Sequence, residues 1–79
     1  MDERLKDLNL LVLYLSGWEE DSRKKPGQKL FRSWKGYPFE ILNEFEQRQL
    51  ITQHRKSKSV VFTEAGKRGA EELMRKYFV

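Results

Sequence analysis

Apolar residues recur at intervals of three and four along the first sixteen positions of the chain. The recurring residues are Leu5, Leu8, Val12 and Leu15. This spacing predicts a helix from about Asp2 to Ser16, with a natural stop at Gly17. Other apolar side chains face further directions on the same helix, namely Leu10, Leu11, Leu13 and Tyr14. So wide an apolar surface belongs either to a helix at the centre of the fold, which we favour, or to one shared with a second subunit.

The pattern then changes from apolar to strongly charged. Residues 18–28 combine many charges with a Pro-Gly pair and one large apolar residue, Trp18, which predicts a mobile basic loop. A short helix is predicted from Lys29 to Lys35, and Gly36 ends it. Its inward anchors would be Leu30, Phe31 and Trp34.

A third apolar stripe predicts a helix from Pro38 to about Gln49, since proline suits the first turn of a helix. The stripe consists of Phe39, Ile41, Leu42, Phe45 and Leu50. Two short β-favouring runs at 50–52 and 60–62 flank a polar, basic segment and predict a hairpin. A final helix follows Thr63, whose hydroxyl suits an N-cap. Its apolar face would hold Ala70, Leu73, Met74 and Tyr77.

These elements predict a mainly helical α+β fold in a single domain spanning residues 1–79. Their order is helix, short helix, helix, hairpin, helix. That is the order of a winged helix-turn-helix with three N-terminal helices, a two-stranded wing and a C-terminal helix.

Two sets of segments resemble known families. QLI at 49–51, a basic tip and VFTEAG at 61–66 resemble the strand, wing and strand of multiple-antibiotic-resistance-type winged-helix regulators. LLVLYLSGW, SWKGYPFEILNEFE and SKSVVFTEAGKRGAEEL together resemble a small family of bacterial winged-helix proteins catalogued as a domain of unknown function. The resemblance implies a winged-helix fold, and the regulators imply contact with DNA and control of transcription. The second family brings no activity.

Charge sharpens the functional prediction because it is concentrated in two segments. The formal net charge is +4; residues 22–37 hold six basic side chains and no acid, and residues 54–58 hold three more. A winged helix docks its third helix in the major groove of duplex DNA and sets its wing on phosphate. The predicted DNA contacts are Lys29, Arg32, Lys35, Tyr37, Asn43, Gln47, Arg55, Lys56 and Lys58.

The third helix fits this docking imperfectly. Asn43 and Gln47 lie four residues apart and have the chemistry to read adenine edges. Three acidic residues on the same helix would repel phosphate, namely Glu40, Glu44 and Glu46. The wing and the preceding helix would therefore carry the phosphate contacts.

Two alternatives stay open beside DNA binding by the predicted wing. A protein-interaction module on the same scaffold would use the acidic third helix or the wide apolar first helix, and a homodimer through the first and last helices fits the same pattern. A second possibility is stacking of single strands on Trp18, Trp34, Tyr37 and Phe39. Aromatic residues near helix junctions more often pack in the core, and we favour this interpretation for these four residues.

Several classes of chemistry are disfavoured by what the sequence lacks. There is no cysteine and one histidine, His54, and we find neither a Ser-centred nucleophile elbow nor a phosphate-cradling glycine loop. We therefore expect no catalytic residues, no cofactor and no metal. The apolar run from Leu8 to Leu15 is far shorter than the roughly 20 residues that cross a bilayer. We expect a cytoplasmic protein without a membrane partner.

Overall fold

A computed structural model describes residues 2–22, 24–36, 38–54 and 56–78. These residues form three helices and four strands, in the order α1 (Glu3–Leu15), β1 (Trp18–Asp21), β2 (Lys29–Trp34), α2 (Phe39–Gln47), β3 (Ile51–Gln53), β4 (Ser59–Phe62) and α3 (Glu64–Tyr77). All strand pairs are antiparallel, and the spatial order in the sheet is β1-β2-β4-β3. The two central strands, β2 and β4, therefore come from different hairpins.

The helices pack on one face of this sheet and build a single core with it. The buried core consists of Leu10, Leu13, Ile41, Leu42, Phe45, Ile51, Val60 and Phe62. Tyr14 of α1 stacks on Phe31 of β2 with ring centroids 4.8 Å apart, and both rings meet Phe62 of β4 at 5.7 and 5.4 Å. These contacts fasten α1 to the two central strands, which gives a two-layer α/β arrangement.

The predicted winged helix-turn-helix is wrong. Residues 29–34, expected to form the second of three N-terminal helices, are strand β2, so α2 is preceded by a strand. The predicted two-stranded wing does form a hairpin of β3 and β4. It is not separate, however, because β4 also pairs with β2 over Arg32, Ser33 and Trp34. The hairpin is therefore half of a larger sheet.

The physical reason for the error is that β2 is apolar on both faces. Phe31 points into the core, whereas Leu30 and Trp34 lie on the opposite face of the sheet. Three apolar residues at positions i, i+1 and i+4 imitate the periodicity of a short helix, although the strand alternates with a period of two.

Residues 18–21 were expected in a loop and instead form the edge strand β1. Three of its four residues are acidic, which disfavours a strand by intrinsic propensity. Cross-strand ion pairs compensate: Lys29 Nζ lies 2.7 Å from Asp21 Oδ1, and Arg32 Nε lies 2.7 Å from Glu20 Oε2. Charged side chains also protect an edge strand from pairing with another molecule.

The other predicted helices lie close to their expected positions. Asp2 caps α1 by accepting the Arg4 N–H at 2.8 Å, and α2 ends at Gln47, two residues before the predicted end. Within the described residues, none of the helices has both the length and the apolar content needed to cross a bilayer.

Helix α3 begins in close contact with the residues just before β3. Thr63 Oγ1 accepts the Gly66 N–H at 3.0 Å and donates to the Gln49 carbonyl at 2.6 Å. A Cβ atom at Gly66 would overlap the carbonyl oxygen of Leu50, whereas one at Gly69 would meet open space. The glycine at 66 is thus required for close packing of the helix on the chain that enters the hairpin.

We expect Gly66→Ala to destabilise the protein by about 2–4 kcal/mol, because the added methyl group must displace backbone. Gly69→Ala, on the same helix, should stabilise it by about 0.5–1 kcal/mol, since alanine is the better helix former. Urea unfolding followed by circular dichroism measures both effects. Equal shifts in the two variants would show that contact with Leu50 does not constrain α3.

Candidate functional site

The sheet face turned away from the helices carries aromatic, aliphatic and charged side chains. We call it the open face; its residues are Trp18, Glu20, Leu30, Arg32, Trp34, Thr52, Ser59 and Val61. The strand register defines this set, because Arg32 of β2 lies opposite Trp18 on β1 and opposite Val61 on β4. An antiparallel sheet that faces water on one side usually presents polar residues there. The mixed character of this face marks it as the candidate binding surface.

Two tryptophans form the aromatic part of the open face. The rings of Trp18 and Trp34 have centroids 4.9 Å apart and planes inclined by 45°. Trp34 is 60% exposed, so the expectation that these aromatic residues serve the core is wrong for Trp34. Leu30, Arg32 and Trp34 are spaced two residues apart along β2, as residues on one face of a strand are, but the apolar Phe31 between them obscured this signal in the sequence. Phe39, at the start of α2, is 74% exposed, so its predicted place in the core is wrong as well.

Arg32 lies at the centre of the open face and is engaged by its neighbours. Its Nε atom lies 2.7 Å from Glu20 Oε2, and its Nη1 donates to Ser59 Oγ at 3.1 Å. Glu20 therefore balances the charge of Arg32, which was predicted as a phosphate contact.

Three lysines lie at the end of the sheet where β2 finishes and β4 begins. We call Lys35, Lys56 and Lys58 the basic end. The backbone N–H of Lys35 donates to the Lys58 carbonyl at 2.9 Å, and Lys35 Nζ donates to the His54 carbonyl at 2.8 Å. Across the part of the chain that the structure describes, no carboxylate forms an ion pair with these three ammonium groups. Lys35 directly follows Trp34 in the chain, and within the described residues the basic end is free of these ion pairs.

A depression of about 540 Å³ occupies another part of the open face, beside Arg32. Its lining includes the carboxylates of Glu20 and Asp21 as well as the basic groups of Lys24 and Arg32. The hydrogen bond to Asp21 raises the pKa of Lys29, and Glu20 pairs with Arg32. Because these carboxylates are present and already bound to cations, the depression attracts an anion less than the basic end does.

The structure separates Lys29 from the basic end but brings Asn43 into one depression with Lys35, Glu46 and His54. Lys29 lies at the opposite end of β2 from Lys35, about 20 Å along the strand. Asn43 and Gln47 belong to α2, in the helical layer, and Asn43 Oδ1 accepts a hydrogen bond from Gln53 Nε2 at 3.1 Å. Tyr37 and Arg55 lie outside the described residues.

The acidic residues of α2 make the helix electrostatically unfavourable for phosphate, and one of them, Glu44, connects α2 to α1. Glu44 Oε1 lies 2.9 Å from Lys6 Nζ of α1, and Glu44 Oε2 lies 2.8 Å from Arg48 Nη2. The hydrogen bond from Lys6 lowers the pKa of Glu44, with a further contribution from the charge of Arg48. Glu40 and Glu46 are exposed on the same helix. An acidic helix tied to α1 in this way does not suit a DNA groove.

Fold and surface together define a small two-layer α/β protein whose open sheet face bears paired tryptophans and whose sheet has three lysines at one end. Among the described residues, no group of three or more His, Cys, Asp or Glu side chains is placed to hold a metal ion. The chain belongs to the family described as a domain of unknown function, DUF6429, whose model matches residues 1–79. No curated protein and no solved structure matches the chain. The family description gives no activity, so the function must be argued from the surface.

The contact between Lys6 and Glu44 generates a pH-dependent prediction. The pKa of Glu44 is lowered in the folded protein. The ionised carboxylate therefore stabilises the fold at pH values above 4.5, the ordinary pKa of this group. That contribution is lost as the pH falls through the lowered value. We expect Glu44→Gln to be less stable than the wild type near pH 7, with the difference shrinking as the pH falls below the ordinary pKa of 4.5. Urea unfolding at a series of pH values measures this.

The matched control is Glu72→Gln, which alters an exposed carboxylate of α3 that forms no ion pair among the described residues. It should change the stability at neutral pH less than Glu44→Gln does. A constant difference between wild type and Glu44→Gln at every pH would contradict the assigned role of the carboxylate.

Proposed function

We propose that this protein binds single-stranded nucleic acid on the open face, with a base stacked on Trp34 and phosphates at the basic end. The observation that carries the proposal is the exposed indole of Trp34 next to Lys35, whose backbone bonds to Lys58, at an end of the sheet where the lysines pair with no carboxylate among the described residues. An aromatic platform beside a positive surface is the combination that single-strand binding proteins use, because every base has a face that can stack.

A single strand suits this surface better than a duplex for two reasons. The indole of Trp34 can stack only on a base that is unpaired and displaced from its neighbours. In addition, α2 is acidic and follows a strand, so it lacks both the charge and the preceding helix with which a helix-turn-helix enters the major groove. The proposal keeps the polyanionic partner expected from the charge pattern and moves the base contacts from α2 to Trp34 on the sheet.

Arg32 has a secondary role in this proposal. Its guanidinium group is close enough to the tryptophan pair to meet a bound strand, since Trp18 lies directly opposite it in the register. Glu20 reduces that contribution by holding Arg32 Nε at 2.7 Å. The bound nucleic acid should therefore follow the basic end and Trp34 rather than the depression beside Glu20.

We expect a short labelled oligothymidylate to bind, with an affinity that falls as salt rises. Trp34→Ala should weaken binding by about 5- to 150-fold, which corresponds to one stacked base at roughly 1–3 kcal/mol. Lys35→Ala and Lys58→Ala should each reduce the slope of log affinity against log salt by about 0.7, since each removes one phosphate contact. Fluorescence anisotropy across a salt series measures all three.

Phe78→Ala and Lys76→Ala are the matched controls, because they remove an exposed aromatic ring and an exposed ammonium group from the helical layer. Both should bind like the wild type. Oligouridylate and a duplex of the same length complete the series, the first to compare RNA with DNA. Equal affinity for duplex and single strand, or unchanged binding by Trp34→Ala, contradicts the proposal.

Removal of the Glu20 charge should instead strengthen binding. Glu20→Gln removes a negative charge from the open face and releases Arg32 for a phosphate, so we expect tighter binding and a salt slope steeper by about 0.7. Glu72→Gln makes the same change of charge on α3 and should alter the affinity much less. If the two variants affect binding equally, only the net charge of the protein matters and Arg32 is not at the site.

A further inference from the structure

Helix α1 carries a second apolar face that the fold leaves uncovered. Its members, which we call the α1 stripe, are Leu5, Leu8, Val12 and Leu15, with exposures of 48%, 43%, 50% and 52%. At about 100° per residue, the stripe points roughly 150° away from Leu10 and Leu13, which are buried in the core. The stripe therefore faces away from the sheet.

The spacing of the stripe is that of a helix-pairing seam. Successive members are separated by three, four and three residues, which is the alternation of a and d positions over two heptads. Four large aliphatic side chains on one exposed face form an apolar patch of the kind that often marks an interaction site. Its partner should thus be a helix.

We propose that the α1 stripe pairs, antiparallel, with the α1 stripe of a second copy of this chain. A spacing of three, four and three is unchanged when it is read backwards. A two-fold axis at the level of Leu10 consequently sets Leu5 against Leu15 of the partner subunit, and Leu8 against Val12 of the partner subunit. The same surface of both subunits is then in contact, as the interface of a two-fold dimer requires.

The charges of α1 favour this antiparallel arrangement over a parallel one. The charged residues of the helix all lie between positions 2 and 7, and its last turn contains no basic residue. In the antiparallel pair, Arg4, whose side chain is 81% exposed and lies 3.4 Å from Asp2 Oδ2 at the start of its own helix, is directed toward the carbonyl end of the partner helix. A positive group at that end is favourable because it meets the negative end of the helix dipole. A parallel pair would instead bring the two acidic first turns together.

The size of the contact indicates a weak or moderate dimer. A helix of 13 residues is about 20 Å long, so the pair belongs with interfaces below about 1,200 Å² that typify transient association. Helix α3 does not supply the seam, because it lies beside α1 within the same chain, where Tyr14 Oη donates to Glu71 Oε1 at 3.4 Å. The proposal is independent of nucleic-acid binding, which uses the other layer.

Analytical ultracentrifugation over a concentration series tests self-association of the full chain. We expect the wild type to shift from monomer to dimer at micromolar concentrations, and Leu8→Glu and Val12→Glu to stay monomeric, with circular dichroism confirming that they fold. Trp34→Glu is the matched control, an exposed apolar residue of the open face changed in the same way, and it should dimerise like the wild type. A wild type that stays monomeric, or dimers that persist in both stripe variants, overturns the proposal.

Disulfide trapping tests the orientation, since the chain contains no cysteine. A mixture of Leu5→Cys and Leu15→Cys chains should form mixed disulfides under mild oxidation. Leu5→Cys alone should not, because its two copies would be about 15 Å apart along the pair. Efficient cross-linking of Leu5→Cys alone would indicate a parallel pair, and absence of mixed disulfides would indicate a different occupant of the stripe; either result overturns the proposal.

Discussion

The pairing of β2 with β4 joins two hairpins that are separate in the sequence, and it determines which side chains meet water. In this ladder Ser33 lies opposite Val60, and both are buried, while the neighbouring Arg32 and Trp34 project from the other face. Because strand side chains alternate, a shift of one residue would carry Arg32 into the core and Phe31 into solvent. Burial of Phe31 against Tyr14 and Phe62 fixes the register, and the open face is a direct consequence of it.

The sequence predicts the helices better than the sheet, for a physical reason. Helices α2 and α3 each have one apolar and one polar face, so their periodicity is local and visible, and α3 also has Thr63 as a cap. Strand β2 hides its alternation because both of its faces are apolar, and β1 is too acidic to read as a strand. The formation of each of these strands depends on pairing with a neighbouring strand. A local sequence pattern does not show pairing between segments that are distant in the sequence.

The candidate surface was only half predictable for a related reason. Clusters of basic residues in the sequence include Lys35, Lys56 and Lys58, which the structure gathers at one end of the sheet. The same clusters include Lys29 and Arg32, whose charges are balanced by Asp21 and Glu20 across the β1–β2 ladder. Net charge along a chain cannot reveal such compensation, because it depends on strand register. The exposure of Trp34 also depends on strand register, so the sequence pattern did not reveal it.

The two proposed surfaces lie on opposite layers of the molecule, and this constrains how they can act together. An antiparallel α1 pair places the helical layers back to back, so the two open faces point outward in opposite directions. A short oligonucleotide cannot reach both open faces. Each protomer would then bind its own oligonucleotide, and binding at one face would not raise the affinity at the other. Only a strand long enough to pass around the dimer would gain from the high effective concentration of a second site. Dimerisation would therefore favour long or paired ligands without altering the contacts at Trp34, which links the oligomeric state to ligand length rather than to affinity at a single site.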